Sequence, residues 1–96
     1  MELLATIKNK LIQAKPMLAS KYSVSEIGIF GSMVRNDFTA DSDIDIIVAF
    51  SRPVGIEFID LANELEHLFD RRIDLVSRTG VKPSYMQRIQ PEIIYV

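Results

Sequence analysis

Three aspartates in this sequence are spaced so that their carboxylates can act together. Asp43 and Asp45 stand two residues apart in an apolar, β-branched segment, which predicts a strand with both side chains on one face. Two neighbouring carboxylates repel each other unless a cation lies between them, and Mg²⁺ prefers oxygen ligands of this kind. Asp74 lies between Ile73 and Leu75, where burial of an unpaired carboxylate would be costly. We therefore interpret Asp43, Asp45 and Asp74 as candidate catalytic residues and metal ligands.

The pair Gly31-Ser32 stands where a phosphate could bind. It follows the apolar segment 26–30 and precedes a short helical segment over 32–35, so free backbone N–H groups are expected at the helix start. Glycine allows close approach to the backbone, and Ser32 adds a hydroxyl donor. With the aspartates, this pair predicts a phosphate cradle facing a carboxylate metal site, which is the equipment of two-metal phosphoryl or nucleotidyl transfer.

The elements that must position these residues alternate between helix and strand. The patterns predict a first helix with apolar residues from Leu4 to Leu18, kinked or restarted at Pro16, and then a strand over 26–30, a helical turn over 32–35, a loop over 36–42, a strand over 43–50, a helix over 55–70, a strand over 72–77, a short helix over 84–89 and an extended segment over 93–96. We expect an α/β (α+β) fold in one domain, residues 1–96, with a small mixed sheet of three or four strands flanked by helices.

The order of these elements also predicts strand directions. The second and third strands should be parallel because a full helix joins them. The first strand should be antiparallel to the second, since Gly31-Ser32 ends the first strand while Asp43 and Asp45 begin the second. This arrangement brings the glycine turn and all three aspartates to one edge of the sheet.

Composition excludes several classes of protein. Eleven Lys and Arg against 13 Asp and Glu give a net charge of −2, which argues against a main task in nucleic-acid binding. The absence of cysteine excludes disulfides, thiolate zinc sites and cysteine nucleophiles, and it agrees with a cytoplasmic location. No apolar run is long enough to span a membrane. Because 48% of so short a chain is hydrophobic, we expect uncovered apolar surface near Ile93-Ile94-Tyr95 that binds a partner or a second copy.

The segment around the glycine turn and the first two aspartates resembles a known family. A Gly-Ser pair, ten further residues and Asp-x-Asp, with another Asp on the next strand, is similar to the DNA polymerase β-type nucleotidyltransferase superfamily. The run Gly31-Ser32-x-x-Arg35…Ser42-Asp43-Ile44-Asp45 resembles the minimal nucleotidyltransferases (MNT) of prokaryotes, and the similarity extends from the first helix to Lys82-Pro83…Glu92. Asn36 stands where the family usually has Gly, and Asn also tolerates a positive φ.

The resemblance implies roles for the residues that match the motif. Asp43 and Asp45 would ligate two Mg²⁺ ions, and Asp74 would complete the second metal site and help to activate the attacking hydroxyl. Gly31 and Ser32 would hold the phosphates of the nucleotide.

Two roles are compatible with the position of Arg35 in the motif. As a nucleotide-binding residue it would contact phosphate, and alternatively it would pair with Asp37 or Asp41 and shape the loop.

The resemblance further implies an Mg²⁺-dependent enzyme that transfers AMP, or another NMP, from ATP to a hydroxyl group of a partner protein. It implies the antitoxin half of an HEPN–MNT toxin–antitoxin pair, in which the MNT protein adenylylates and silences an HEPN ribonuclease. A second hypothesis is a binding module that neutralises its partner by stoichiometric contact without catalysis.

Other interpretations agree less well with the residues. In an EF-hand loop, the invariant Gly and the bidentate Glu would fall on Ile46 and Arg52, and no P-loop motif is present. A template-directed polymerase is disfavoured by the length of 96 residues and the net charge of −2. His67 is expected at the surface. Arg71 and Arg72 either contact substrate phosphate, lie at the surface or pair with Asp70.

Overall fold

A four-stranded mixed sheet with helices on both faces organises the computed structural model, which describes residues 2–96. The elements in chain order are α1 (Glu2–Tyr22), β1 (Val24–Phe30), α2 (Ser32–Arg35), β2 (Ile44–Phe50), α3 (Glu57–Phe69), β3 (Ile73–Ser77), α4 (Pro83–Ile89), a 3₁₀ turn (Gln90–Glu92) and β4 (Ile94–Tyr95). The predicted α/β (α+β) class, with a small mixed sheet flanked by helices, is confirmed.

The strand order is β3-β2-β1-β4, and both predicted strand directions are confirmed. β2 and β3 run parallel, with Asp45 opposite Asp74, and β1 runs antiparallel to β2, with Phe30 opposite Asp45. The end of β1 therefore meets the beginnings of β2 and β3 at one edge of the sheet. This register brings the glycine turn next to the aspartates.

The alternation of side chains along β2 divides the interior into two cores. Ile44, Ile46 and Val48 face α1 and α3, and they pack with fully buried residues such as Leu11 and Leu65. On the opposite face, a smaller cluster joins β1, β2 and α4; its buried members are Phe30, Ile47 and Ile89. Since Asp45 and Asp74 alternate with residues of the first core, both belong to the face that carries α4.

The first helix continues through Pro16, so the alternative of a restart at this residue is wrong. A proline inside a helix removes one N–H donor and leaves the carbonyl four residues earlier without its helical partner. That carbonyl belongs to Ile12, and both Ile12 and Pro16 are exposed, so water can replace the lost bond.

Some predicted element boundaries are also wrong. β1 begins at Val24 rather than at residue 26, and α3 is shorter than 55–70 at both ends. β2 begins at Ile44, so Asp43 lies just outside the strand, where the N–H of Ile44 donates to the carbonyl of Arg72 across 3.0 Å. The 3₁₀ turn before β4 had no signal in the periodicity.

The extended segment near residue 95 is more covered than predicted. β4 pairs with β1, and Ile93 and Ile94 are half-buried; a Cβ at Gly28 would lie only 2.8 Å from Cγ2 of Ile93. The expectation of uncovered surface is wrong for these two isoleucines, whereas Tyr95 is 43% exposed. The other large exposed apolar side chains are those of Leu3, Ile12, Met17, Ile56 and Ile59. Within residues 2–96, no helix combines the length and the apolar character needed to cross a membrane.

Leu65→Ala should destabilise the protein strongly, because Leu65 is fully buried between α3 and the sheet. The expected loss in the free energy of unfolding is about 2–5 kcal/mol, from lost apolar burial and the cavity left behind. Ile59→Ala in the same helix is the matched control, since Ile59 is 60% exposed. Urea unfolding followed by circular dichroism measures both, and equal losses for the two variants would contradict the assignment of the core.

Candidate active site

Asp45 and Asp74 form a pair of carboxylates across the parallel strands β2 and β3. They are direct register partners, and Asp45 is half-buried. Burial first, and then the negative charge of Asp74 and a hydrogen bond with it, raises the pKa of Asp45 to about 6. Asp74 itself is exposed, so its carboxylate does not carry the cost of burial that its apolar neighbours suggested. The charged form of Asp45 is thus disfavoured next to a second acid. A cation bound between the two carboxylates would reduce their repulsion.

Asp43 lies near this pair but is engaged by another residue. Its Oδ1 lies 3.1 Å from Nε of Arg72, and both side chains are substantially exposed. Its charge also contributes to the raised pKa of Asp45, which places it within electrostatic range of the pair. Over residues 2–96, no three Asp, Glu or His side chains are arranged to hold one metal ion together. The structure thus brings Asp45 and Asp74 together, with Asp43 beside them on Arg72.

Asp43, Asp45 and Asp74 together form what we call the acid edge of the sheet. Its donor chemistry fits a hard divalent cation. The available ligands are carboxylate oxygens, which Mg²⁺ prefers, and the disfavoured negative charge at Asp45 provides an electrostatic reason to bind it. To bind the ion, Asp43 would have to break its ion pair with Arg72. That exchange is inexpensive, because an exposed ion pair contributes only about 0–1 kcal/mol.

Gly31 lies directly against the carboxylate of Asp45. Its φ of 80° is in the region that glycine adopts readily and other residues avoid. A Cβ at this position would overlap Oδ2 of Asp45 and would lie 2.8 Å from its Cγ. The turn between β1 and α2 therefore needs glycine both for its backbone conformation and for the space that the carboxylate occupies.

Arg35 and the N–H of Gly31 are both held by Glu92, which follows α4 in the 3₁₀ turn. The Gly31 N–H donates to Oε2 of Glu92 across 2.8 Å, and Nη1 of Arg35 lies 3.2 and 3.3 Å from the two carboxylate oxygens. Nε of Arg35 lies 3.6 Å from Oδ2 of Asp37. Of the two acids predicted as partners of Arg35, the structure shows Asp37 and not Asp41. Sequence reasoning named Glu92 only as the end of the region that resembles the family and gave it no role at the site, since it lies 57 residues from Arg35.

The turn after α2 keeps the shape expected from the sequence. Asn36 has a φ of 68°, as predicted for a residue that replaces the usual glycine, and its N–H caps the helix by donating to the carbonyl of Ser32. Ser32 is half-buried at the start of α2, next to Gly31. The predicted nucleotide-binding residues Gly31, Ser32 and Arg35 are therefore neighbours in one short turn.

Arg71 fastens the loop that leads to Asp43, a contact that sequence reasoning left undecided. Its Nη2 donates to the carbonyls of Ala40 and Ser42 across 2.9 and 3.2 Å, and its guanidinium lies 4.7 Å from the centre of the Phe38 ring. The loop before β2 is thus tied to the segment between α3 and β3. Arg71 consequently supports the loop that leads to Asp43.

Tyr85 reaches the acid edge from α4. Its ring packs edge-on against Phe30, with centroids 6.4 Å apart. Burial first, and then the charges of Asp74 and Asp45, raises the pKa of its hydroxyl. Sequence reasoning assigned no function to this residue, which becomes a neighbour of the site only through the packing of α4 on the sheet.

The two largest cavities described lie away from the acid edge. They have volumes of about 720 and 570 Å³ and are lined by residues around the end of β2 and between α1 and α3. None of the predicted site residues lines either cavity.

Comparisons with known proteins agree with the resemblance drawn from the motif. A family model for the nucleotidyltransferase domain matches residues 11–96. The protein adenylyltransferase MntA of Thermococcus cleftensis is 38% identical over 94 residues, covering 97% of this chain and 95% of the relative. The structure of a candidate minimal nucleotidyltransferase aligns with a TM-score of 0.80 and 29% identity, over 95% of this chain and 93% of that chain. A toxin–antitoxin crystal structure with AMP-PNP aligns with a TM-score of 0.74 and 26% identity, over 91% of this chain and 69% of that chain.

Gly31→Ala should damage both the turn and the acid pair. The methyl group requires an unfavourable φ, which costs about 1–3 kcal/mol, and displaces the carboxylate of Asp45. Gly55→Ala is the matched control, because nothing lies within 4 Å of a Cβ at that position. Thermal melting of both variants checks the prediction, which fails if the two melting temperatures are equal.

Asp45→Asn should stabilise the ligand-free protein at about pH 7.5. Because the folded-state pKa of Asp45 is raised to about 6, the charged carboxylate disfavours folding above that pH, and wild-type stability is lost as the pH rises from about 4 to about 6. Removing the charge should recover about 1–2 kcal/mol at neutral pH, and the gain should shrink as the pH falls through 6.

Urea unfolding at a series of pH values measures this gain, with Asp41→Asn, an exposed loop variant, as the control. A gain that is independent of pH, or that is equal in the control, would contradict the electrostatic origin.

Proposed function

Because this chain belongs to the nucleotidyltransferase domain family, we propose that it transfers AMP from ATP to a hydroxyl group of a partner protein in an Mg²⁺-dependent reaction. The observation that carries the proposal is the contact between Gly31 and Asp45, by which the turn that we propose to bind phosphate lies against a pair of carboxylates. The similarity to a protein adenylyltransferase, MntA, supports AMP as the transferred group and a protein as the acceptor.

In this proposal, Asp45, Asp74 and Asp43 would hold two Mg²⁺ ions at the acid edge. When bound, the ions would supply positive charge that offsets the charge of the triphosphate. Gly31 would let the phosphates approach the backbone closely, and the Ser32 hydroxyl would donate to them, while the Gly31 N–H stays with Glu92. The structural support is that all five residues lie at the meeting point of β1, β2 and β3.

The proposed reaction is the displacement of pyrophosphate by a hydroxyl group. The oxygen of the acceptor forms a bond with the α-phosphorus of ATP. The bond between that phosphorus and the oxygen that bridges the α- and β-phosphates breaks, and pyrophosphate leaves. In the same step, the hydroxyl proton passes to the carboxylate of Asp74. Asp74, the exposed member of the acid pair, is the carboxylate that we propose to help activate the hydroxyl.

We propose that the acceptor protein is an HEPN ribonuclease, and that the chain is the antitoxin that silences it. Two observations support this assignment. Asp74 is exposed, so that an acceptor can reach the acid pair, and a structure that aligns with 26% identity is a toxin–antitoxin complex with AMP-PNP. The partner would then supply the acceptor hydroxyl and close the site.

A non-catalytic antitoxin is the second candidate function. The observation in its favour is that Asp43 is paired with Arg72, so that the described acids do not share one ion as they stand. Such a protein would protect cells through stoichiometric contact alone, and the acids would be dispensable.

The experiment that tests the proposal is AMP transfer to an HEPN protein from the same genome. The purified proteins are incubated with Mg²⁺ and α-labelled ATP, and label on the partner is followed by gel and by intact mass. The double variant Asp43→Asn/Asp45→Asn should lose at least about 100-fold in rate. Asp60→Asn, an exposed acid on α3, is the matched control and should be unchanged.

Equal labelling by the wild type and the double variant would overturn the catalytic assignment. Full protection of cells from the partner by the double variant would favour the non-catalytic antitoxin instead.

A further inference from the structure

Glu92 joins two parts of the chain that are distant in sequence. Its carboxylate accepts the Gly31 N–H across 2.8 Å, over a separation of 61 residues, and it forms an ion pair with Arg35 at 3.2 Å. The Glu92 side chain is only 21% exposed, whereas that of Arg35 is 53% exposed. The contact therefore combines a partly covered carboxylate with two groups that belong to the proposed nucleotide-binding turn.

The backbone that carries Glu92 is held on both sides. The 3₁₀ turn contains Pro91, which restricts φ, and it follows Ile89, which is 6% exposed. After the turn, β4 pairs with β1, and the N–H of Val96 donates to the carbonyl of Ile27 across 3.0 Å. Glu92 is thus presented to the Gly31 turn from a fixed position.

Arg35 is fixed at one edge and open at another. Glu92 engages Nη1 and Asp37 lies near Nε, while 53% of the Arg35 side chain is exposed. A guanidinium held in this way presents its remaining donors in a set direction, and it loses less side-chain entropy when an anion binds. The same carboxylate also fixes the peptide that begins the phosphate-binding turn.

We propose that Glu92 is a positioning residue that orients Arg35 and the Gly31 peptide for the outer phosphates of ATP. The inference rests on the proposed function, because it assumes that Gly31, Ser32 and Arg35 bind the nucleotide. It adds a residue outside the motif and gives Arg35 a supporting partner. Glu92 acts through these groups and does not itself touch the nucleotide.

The test compares ATP and AMP binding by wild type and Glu92→Gln. Glu92→Gln keeps a hydrogen-bond acceptor but removes the charge that holds Arg35. Calorimetry in the presence of Mg²⁺ should show ATP binding about tenfold weaker in the variant, and AMP binding changed by less than about twofold, because AMP lacks the outer phosphates. Loss of fold alone would weaken both ligands equally.

Glu64→Gln is the matched control. Glu64 also pairs with a cation and accepts a second hydrogen bond, from Lys21 and Tyr22, but it lies between α1 and α3. This variant should leave both affinities unchanged. Unchanged or tighter ATP binding by Glu92→Gln would overturn the proposal, and tighter binding would identify the carboxylate as a competitor of phosphate.

A double-mutant cycle tests whether Glu92 acts through Arg35. In an Arg35→Ala background, Glu92→Gln should weaken ATP binding by less than about threefold, since the group it orients is gone. The full tenfold effect in that background would overturn the route through Arg35.

A measurement on the wild type does not depend on whether a variant folds. NMR of the wild type with ATP bound should show no coupling between the Gly31 amide and a phosphorus nucleus, because Glu92 keeps this N–H. Such a coupling would mean that phosphate displaces Glu92, and it would overturn the proposal. Absence of ATP binding by the wild type would remove the proposed function itself, whereas wild-type binding with an unaffected Glu92→Gln variant would remove only this inference.

Discussion

The close contact between the Gly31 backbone and the Asp45 carboxylate is the constraint on which the rest of the site depends. It exists because Phe30 lies opposite Asp45 in the antiparallel register, and because position 31 has no side chain to fill the space. The parallel pairing of β2 with β3 then adds Asp74 on the other side of Asp45. One sheet edge consequently carries a turn suited to anions and a pair of acids suited to cations.

Local patterns were sufficient for the order and the direction of the elements. Alternating isoleucines predicted β2, and the spacing of Leu61 and Leu65 predicted the helix that follows it. Because this helix connects β2 to β3, the two strands were expected to run parallel, as they do. Boundaries failed where tertiary contacts decided them. The start of β2 depends on a hydrogen bond from Ile44 to Arg72, and the continuity of α1 depends on the solvent exposure of Pro16. Neither contact has a counterpart in periodicity.

The candidate site divides in the same way between local and distant information. Gly31, Asp45 and Asp74 follow from residue type, alternation and strand direction, and the structure brings them together. Glu92 and Tyr85 approach from the segment after β3, and only the packing of α4 on the sheet reveals them. The exposure of Asp74 was also beyond sequence reasoning, because an acid in an apolar strand is covered or uncovered according to what lies over its end.

The hydrogen bond between Gly31 and Glu92 has a consequence for biosynthesis. The ribosome makes the glycine turn 61 residues before the carboxylate that fixes it, and β4 is likewise the last strand of the described sheet to emerge. A nascent chain can pair β1 with β2 and acquire its acid pair while Arg35 and the Gly31 peptide are still unsupported. The hydrogen bond that fixes this turn therefore forms late in folding, after the segment that carries Glu92 has been synthesised.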